Sequence, residues 1–249
     1  MKILIVFIFS SYLYGAGSYC VALSNMKIDY TETDMYGDFA DSERTNSMLG
    51  FELGYDFDVS CTYKECTKLD FAVSTHSGYS DYDGFIVSTG EPQKSKTFNI
   101  FYNISLEMIQ EQYYNFGNIY YGVGLGYHAW YRELDPAPTE LYRWFYIEPI
   151  LGFGKKWNKF SLSTYFKYKY ALKSIMTAST ITEDFRLGKT DSLGLIGRVT
   201  YKLDKQLDCF SELEVAKQTI KKSNNVNGWY EPDSIDYQNI LKFGITFKY

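Results

Sequence analysis

From Leu49 to Val59 every second residue is apolar: Leu49, Phe51, Leu53, Tyr55, Phe57 and Val59. Gly50, Glu52, Gly54, Asp56 and Asp58 fill the gaps. A period of two puts one set of side chains on each face of a strand, whereas a helix would scatter both sets around its axis. The pattern returns in Phe98, Ile100, Tyr102, Ile104, Leu106 and Met108, and in Tyr121, Val123, Leu125, Tyr127, Ala129 and Tyr131. It returns last in Leu241, Phe243, Ile245, Phe247 and Tyr249. The chain is therefore all-β, which suits a composition with 25 Tyr and 18 Phe.

Ten such segments are legible, over residues 20–32, 46–60, 66–80, 96–112, 118–132, 141–157, 160–176, 191–204, 207–222 and 237–249. Their connections alternate in length. Asn158-Lys159 and Lys205-Gln206 are tight turns, and Tyr113 to Gly117 is short. Thr33 to Thr45, Asp81 to Ser95, Glu133 to Glu140, Thr177 to Thr190 and Ser223 to Asp236 are long. Short turns at one end and long loops at the other describe an antiparallel up-and-down transmembrane β-barrel of ten strands, with both termini on the periplasmic side. A soluble β-sandwich also alternates, but its strands run to ~5–6 residues and these are far longer. The inner stripe here is also rich in Gly, Tyr, Glu, Lys and Ser. Pro92, Pro136, Pro138 and Pro232 fall in the long loops, and Pro149, inside a strand, marks a bulge.

The first 18 residues have the layout of a secretory signal peptide: Lys2, an apolar run from Ile3, then small residues. Cleavage fits after Ala16 or after Ser18, leaving residues 19–249 as one barrel domain. The run is too short for a membrane-spanning helix, which needs ~20 apolar residues. Tyr19 before Cys20 argues against a lipoprotein. A net charge of −5 gives no footprint for nucleic acid.

The chain ends KFGITFKY, with Lys242, Gly244, Phe247 and Tyr249 at fixed spacing. This resembles the C-terminal signal of Gram-negative outer-membrane proteins. The resemblance implies recognition by the barrel-assembly machinery and a place in the outer membrane, in contact with lipid and lipopolysaccharide. A terminal Phe is more usual in that signal than Tyr.

Four cysteines sit at the periplasmic rim of this topology. Cys61 and Cys66 flank a four-residue stretch and suit a disulfide in an oxidising compartment. Cys20 and Cys209 lie on the first and ninth strands, about 10 Å apart with one strand between them, too far for a bridge without movement. Their spacings make a poor zinc signal, and no metal or cofactor is expected.

The inward stripes carry charge. Glu52, Asp56, Asp70 and Glu107 form an acidic wall, facing a basic one of Lys167, Lys169, Lys173, Arg198 and Lys202. This fits either a salt-bridged plug or a narrow ion-conducting pore. His128 points inward near Arg132, with Glu148 as a possible neighbour, and is expected to be hydrogen-bonded. His76 and Ser77 point to opposite faces and cannot pair.

Ten strands, long extracellular extensions and SIDYQN before the closing strand resemble the omptins, outer-membrane aspartate/histidine proteases. Asp81 and Asp83 have that family's Asp-x-Asp spacing, which the resemblance would make a catalytic pair. Its fourth connection carries an Asp-His pair, whereas the one here has Glu183 and Asp184 and no histidine. The first loop is acidic, with Glu32, Asp34, Asp38, Asp41 and Glu43 read as solvated carboxylates rather than as a surface for divalent cations or a basic partner. Tyr36, Phe39, Tyr82, Trp229 and Tyr230 are aromatic anchors for a partner or packing within tall loops. The expected role is surface binding, adhesion or envelope structure by a non-catalytic monomer, porin-like in architecture, with its extracellular ligand unknown. The alternatives are an omptin-like protease using Asp81 and Asp83, and a small pore.

Overall fold

The computed structural model describes residues 17–34, 36–85, 91–135 and 138–249. The expected leader, apart from Gly17 and Ser18, lies outside the described residues, as does Pro136. The strands are β1 (Gly17–Thr33), β2 (Phe39–Cys61), β3 (Glu65–Phe85), β4 (Pro92–Tyr114), β5 (Gly117–Glu133), β6 (Thr139–Trp157), β7 (Phe160–Ala178), β8 (Phe185–Arg186), β9 (Thr190–Lys202), β10 (Leu207–Ile220) and β11 (Asp233–Lys248). Each long strand pairs antiparallel with the next, β7 pairs with β9, and β11 returns to β1. Ten strands thus close into the up-and-down barrel that the alternation predicts. The two-residue β8 hangs on β7 above it.

Closure removes every sheet edge at membrane depth, where an unpaired backbone group has no water to bond. The outer face is an apolar band that includes Leu49, Phe51, Leu125, Leu151 and Phe243, all exposed on the isolated barrel. Aromatics mark its margins, Tyr79 and Tyr237 at one end and Phe160 and Phe247 at the other. β2 and β4 are 23 residues long, about twice the ~9–11 needed to cross a bilayer. The surplus stands above the outer membrane surface.

That surplus corrects the loops. β1 and β2 stay paired up to Thr33 and Phe39, and β3 and β4 up to Phe85 and Pro92. The first two long connections are therefore mostly tall hairpins, and Pro92 is the first residue of a strand. Lys205-Gln206 is not a two-residue turn either, because Leu203 donates its N–H back to the Leu207 carbonyl. Pro149 is not a bulge. β6 and β7 keep one register on both sides of it, from Ile147–Tyr170 to Ile150–Lys167, and only the ladder bonds that its missing N–H forbids are interrupted. The β6–β7 bulge lies higher, where Phe145 faces Lys173 and Tyr146 faces Ala171. The extra residue, Leu172, inverts the alternation above it, so that Ser174 and Met176 turn inward. Lys173, expected on the basic wall, faces outward.

At the periplasmic rim a disulfide joins Cys61 and Cys66, with 4.0 Å between their Cα atoms. Cys20 and Cys209 are free. They flank β11 at Thr246 and Ile245, neighbours whose side chains point to opposite faces. Cys20 faces the lumen and Cys209 the lipid, which bars a bridge more firmly than distance alone.

Candidate functional site in the barrel lumen

The upper lumen is built around Arg132. Alternation along β5 sends His128, Trp130 and Arg132 inward, and the tall hairpins bring Glu32 and Glu43 to meet them. Arg132 donates from Nε (2.8 Å) and Nη2 (2.5 Å) to Glu43 Oε1. Its Nη1 donates to Glu140 Oε2 (2.9 Å) and the Tyr142 hydroxyl (3.1 Å), with Glu32 at 3.5 Å. The guanidinium also lies 4.9 Å from the Tyr30 ring centre and 5.0 Å from that of Trp130. Glu43 Oε2 accepts from Ser80 (2.6 Å) and Asn99 (3.1 Å), and Asn99 Oδ1 accepts from Trp130 Nε1 (2.7 Å). Arg132, Glu43, Trp130 and Asn99 are all buried.

The connections above β7 and β10 close over this tier. Phe185, Leu187 and Val226 join Tyr30, Trp130 and Tyr142 in one buried cluster. Glu231 reaches down to accept from the Tyr142 hydroxyl. The two connections hold one another through Gly188 N–H to the Lys221 carbonyl (2.8 Å) and Asn224 N–H to the Arg186 carbonyl (3.0 Å). Outward side chains at this height are charged, including Arg44, Asp81 and Lys96, so the tier stands above the bilayer.

Four glutamates thus face one guanidinium out of water. Burial, and then the charge of Asp41, push the Glu32 carboxyl up to about 8 against the pull of Arg132. Burial raises Asp41 to about 6 despite Arg132, and raises Glu140 as well. Burial, with Glu32 beside it, holds Glu231 well above the usual carboxylate range. Glu32, Asp41 and Glu43 are therefore not the solvated loop carboxylates that the composition of the hairpin suggests.

Below the aromatic tier lies a cavity of about 290 Å³. The expected lumen charges mostly face it, and they pair across it. Lys167 on β7 reaches Glu107 on β4 (2.6 Å) and Glu148 on β6 (3.6 Å). Lys169 lies 3.8 Å from Glu148. Lys242 bonds Glu52 (2.8 Å) and Glu212 (3.0 Å), and Arg198 bonds the same Glu212 (2.6 Å). Lys202 is exposed at the rim. Glu212 and Lys68, which holds Glu111 at 3.2 Å, went unread in the sequence although alternation alone puts Glu212 on the inner stripe.

The hydrogen bond expected of His128 is not made at its Nε2. His128 stacks on Trp144 (4.6 Å between ring centres), and its Nε2 has no hydrogen-bond partner. Its register partners are Asn103 and Trp144, so Glu148 is not its neighbour. The bonded histidine is His76, whose Nε2 lies 2.9 Å from the Ser24 hydroxyl. Asp81 and Asp83 do not form a site with either. Tyr82 between them is buried, so both acids face outward, where Asp81 takes Lys96 (2.5 Å) and Asp83 takes Lys94 (3.0 Å). His76, five residues from Asp81 on the same strand, is on the other face. Asp184 in the fourth connection pairs with Arg143 at 3.6 Å.

Of the terminal residues, Lys242 is one of the buried lumen cations. Gly244 lies against the Phe210 ring, where a Cβ would come within 2.5 Å. Phe247 and Tyr249 are exposed on the lipid side of the rim. Tyr36 and Trp229 stand exposed at hairpin tips, whereas Tyr82 is buried.

A closed ring of alternating strands, an apolar band between aromatic margins and a charged lumen define an outer-membrane β-barrel. Solved structures similar to it are of that class. The outer-membrane protease OmpT from Escherichia coli aligns over 94% of this chain and 97% of its own at 9% identity, with a TM-score of 0.57. The translocator domain of the autotransporter NalP from Neisseria meningitidis aligns over 99% of this chain and 94% of its own, at 9% identity and a TM-score of 0.46. At such identities the likeness is one of fold. No family model matches the sequence, and no curated protein does. The chain is a protein of the Gram-negative outer membrane.

Proposed function

We propose that this barrel serves at the cell surface as a binding, adhesive or envelope-structural protein, and neither cuts peptides nor conducts ions. The observation that carries this reading is the Arg132 tier, a buried plug of ion pairs and stacked rings across the outer mouth. The lysine clamp at Lys167 supports it from below. Tall hairpins presenting Tyr36, Phe39 and Trp229 to solvent offer aromatic anchors, which carry much of the energy in protein interfaces. The protease reading lacks its geometry, with Asp81 and Asp83 outward, each tied to a lysine.

The test uses the mature chain, refolded in detergent with lipopolysaccharide. It is offered a quenched dibasic peptide, and separately it is inserted into planar bilayers. Cells displaying the native chain are compared for attachment to epithelial monolayers with cells displaying Tyr36→Ser, Phe39→Ser and Trp229→Ser together. Weaker attachment by the triple variant, with no cleavage and no channel events, is expected. Cleavage that disappears in Asp81→Ala with Asp83→Ala, or steady unitary conductance, overturns the reading.

A further inference from the structure

The acidic wall of the lumen is an ordered row. Asp56, Asp70 and Glu107 stand directly opposite one another on β2, β3 and β4. The row continues through Gly124 on β5 to Glu148 on β6. Like charges in direct cross-strand register destabilise a sheet unless something sits between them. Gly124 leaves that space, since a Cβ there would lie 3.1 Å from Glu107 Cγ and 3.3 Å from Glu148 Oε1. Half the row is already answered by an ammonium group, because Lys167 Nζ lies between Glu107 and Glu148.

The other half is not. Among the described residues no lysine or arginine lies within ion-pair distance of Asp70 or Asp56, and Asp56 has only the Ser18 hydroxyl. Asp70 Oδ1 is buried without a hydrogen-bond partner. Glu148 Oε2 is buried too and has only Lys169, 3.8 Å away and beyond hydrogen-bond reach. Both carboxyls line the cavity, as does His128 with its unpartnered Nε2. The lining as a whole sets eight Asp and Glu against four Lys and Arg. A buried carboxylate without a partner costs several kcal/mol, so the wall calls for a cation or for protons. A single bare metal ion does not fit the row. The one set of three or more potential ligands close enough together, among the described residues, is Asp58 with the disulfide-bonded Cys61 and Cys66.

We propose that this cavity binds a small organic ammonium ion, such as a short linear diamine, with one ammonium held by Asp70 and Asp56 as Lys167 is held by Glu107 and Glu148. The cavity runs down to Ser18 and Asp56 near the inner end of β1, and its outer end is roofed by the Arg132 tier. The ligand enters from the periplasm. This site is separate from the surface-binding role and does not depend on it.

The experiment follows thermal unfolding of the refolded mature chain in detergent at neutral pH. Putrescine is the probe, with 1,4-butanediol, sodium chloride at matched ionic strength and calcium chloride as controls. A saturable rise in Tm with putrescine alone is expected. Asp70→Asn and, separately, Asp56→Asn raise the concentration for half the effect by about tenfold or more, the worth of one charge-assisted contact. Asp83→Asn, on the outer face, leaves it unchanged. Two lumen variants guard against one of them failing to fold, which retention of heat-modifiable migration on gels reports. Three results overturn the proposal: a rise no larger than that with sodium chloride, a rise with calcium and none with putrescine, or an equal rise in both folded lumen variants. In the first case the carboxyls of the row are satisfied by protons or by diffuse counterions, in the second by a metal ion, and in the third putrescine binds away from the row.

Discussion

Arg132 is the residue on which the outer mouth depends. Among the described residues it is the one cation bonded to Glu43, Glu140 and Glu32 together. Arg132→Met removes that charge and leaves the glutamates buried, and breaking a buried pair in this way costs roughly 3–5 kcal/mol. A lower urea midpoint for the change in tryptophan fluorescence would measure it. Arg132→Lys recovers less than half, since an ammonium lacks the fork that serves Glu43 and Glu140 at once. The acids predict the effect of pH. Glu32 is raised from 4.5 to about 8 in the fold, so the folded state holds its proton more tightly than the unfolded chain does. Its contribution is full below about 4.5 and is lost as pH rises toward 8. Glu231, raised in the same direction, adds to the trend. Amide exchange in residues 179–189 and 221–232 is therefore expected to be slower at pH 5 than at pH 9, beyond the intrinsic pH effect. Glu231→Gln, which holds a neutral group at every pH, flattens that difference. An undiminished difference in this variant would show that the mouth does not respond through Glu231.

At the level of the strand, parity decides most of what can meet. Cys20 and Cys209 lie at adjacent levels on either side of β11 and face opposite media. Oxidation of the folded protein should thus leave two free thiols and one disulfide, counted by mass after maleimide capture in denaturant. In the native barrel, a maleimide that partitions into detergent labels Cys209 faster than Cys20. Parity also sets how much of this molecule was legible in its sequence. Continuous alternation gave the strand count, the closing β1–β11 pair and the inward set Glu52, Asp56, Asp70 and Glu107, because a period of two survives any global tilt. It failed where one residue is inserted. Leu172 flips β7 and sends Lys173 outward, and nothing in YALKSIM marks the insertion, because apolar residues stand on both faces there. The Arg132 tier was hidden for another reason. Above the bilayer the outer stripe turns polar and the inner one aromatic and acidic, so Glu32 and Glu43 look like loop carboxylates. Only pairing across strands, which a single chain does not reveal, shows them converging on β5.

For the whole barrel, side chains cross the lumen at two levels in series. The outer barrier is the Arg132 tier with its cap of Phe185, Leu187, Val226 and Glu231. The inner barrier is the clamp in which Lys167 spans from β7 to β4, across two intervening strands. A ten-stranded lumen is little wider than the eight-stranded case that side chains just fill, so either barrier alone is expected to stop ion flow. Replacing residues 223–232 with a short Gly-Ser turn, together with Arg132→Ala and Trp130→Ala, removes the cap and the centre of the tier but leaves the clamp, and such a barrel is expected to stay silent in planar bilayers. Lys167→Ala with Glu107→Ala opens the centre but leaves the mouth shut, and is expected to be silent too. The combined variant should show discrete openings, cation-selective because the acidic row Asp56, Asp70 and Glu148 then lines the path with fewer lysines against it. Conductance in either partial variant would mean that one barrier alone holds the barrel shut. Anion selectivity in the combined variant would mean that Lys169, Arg198 and Lys242 outweigh the acidic row, against the excess of carboxyls in the lining.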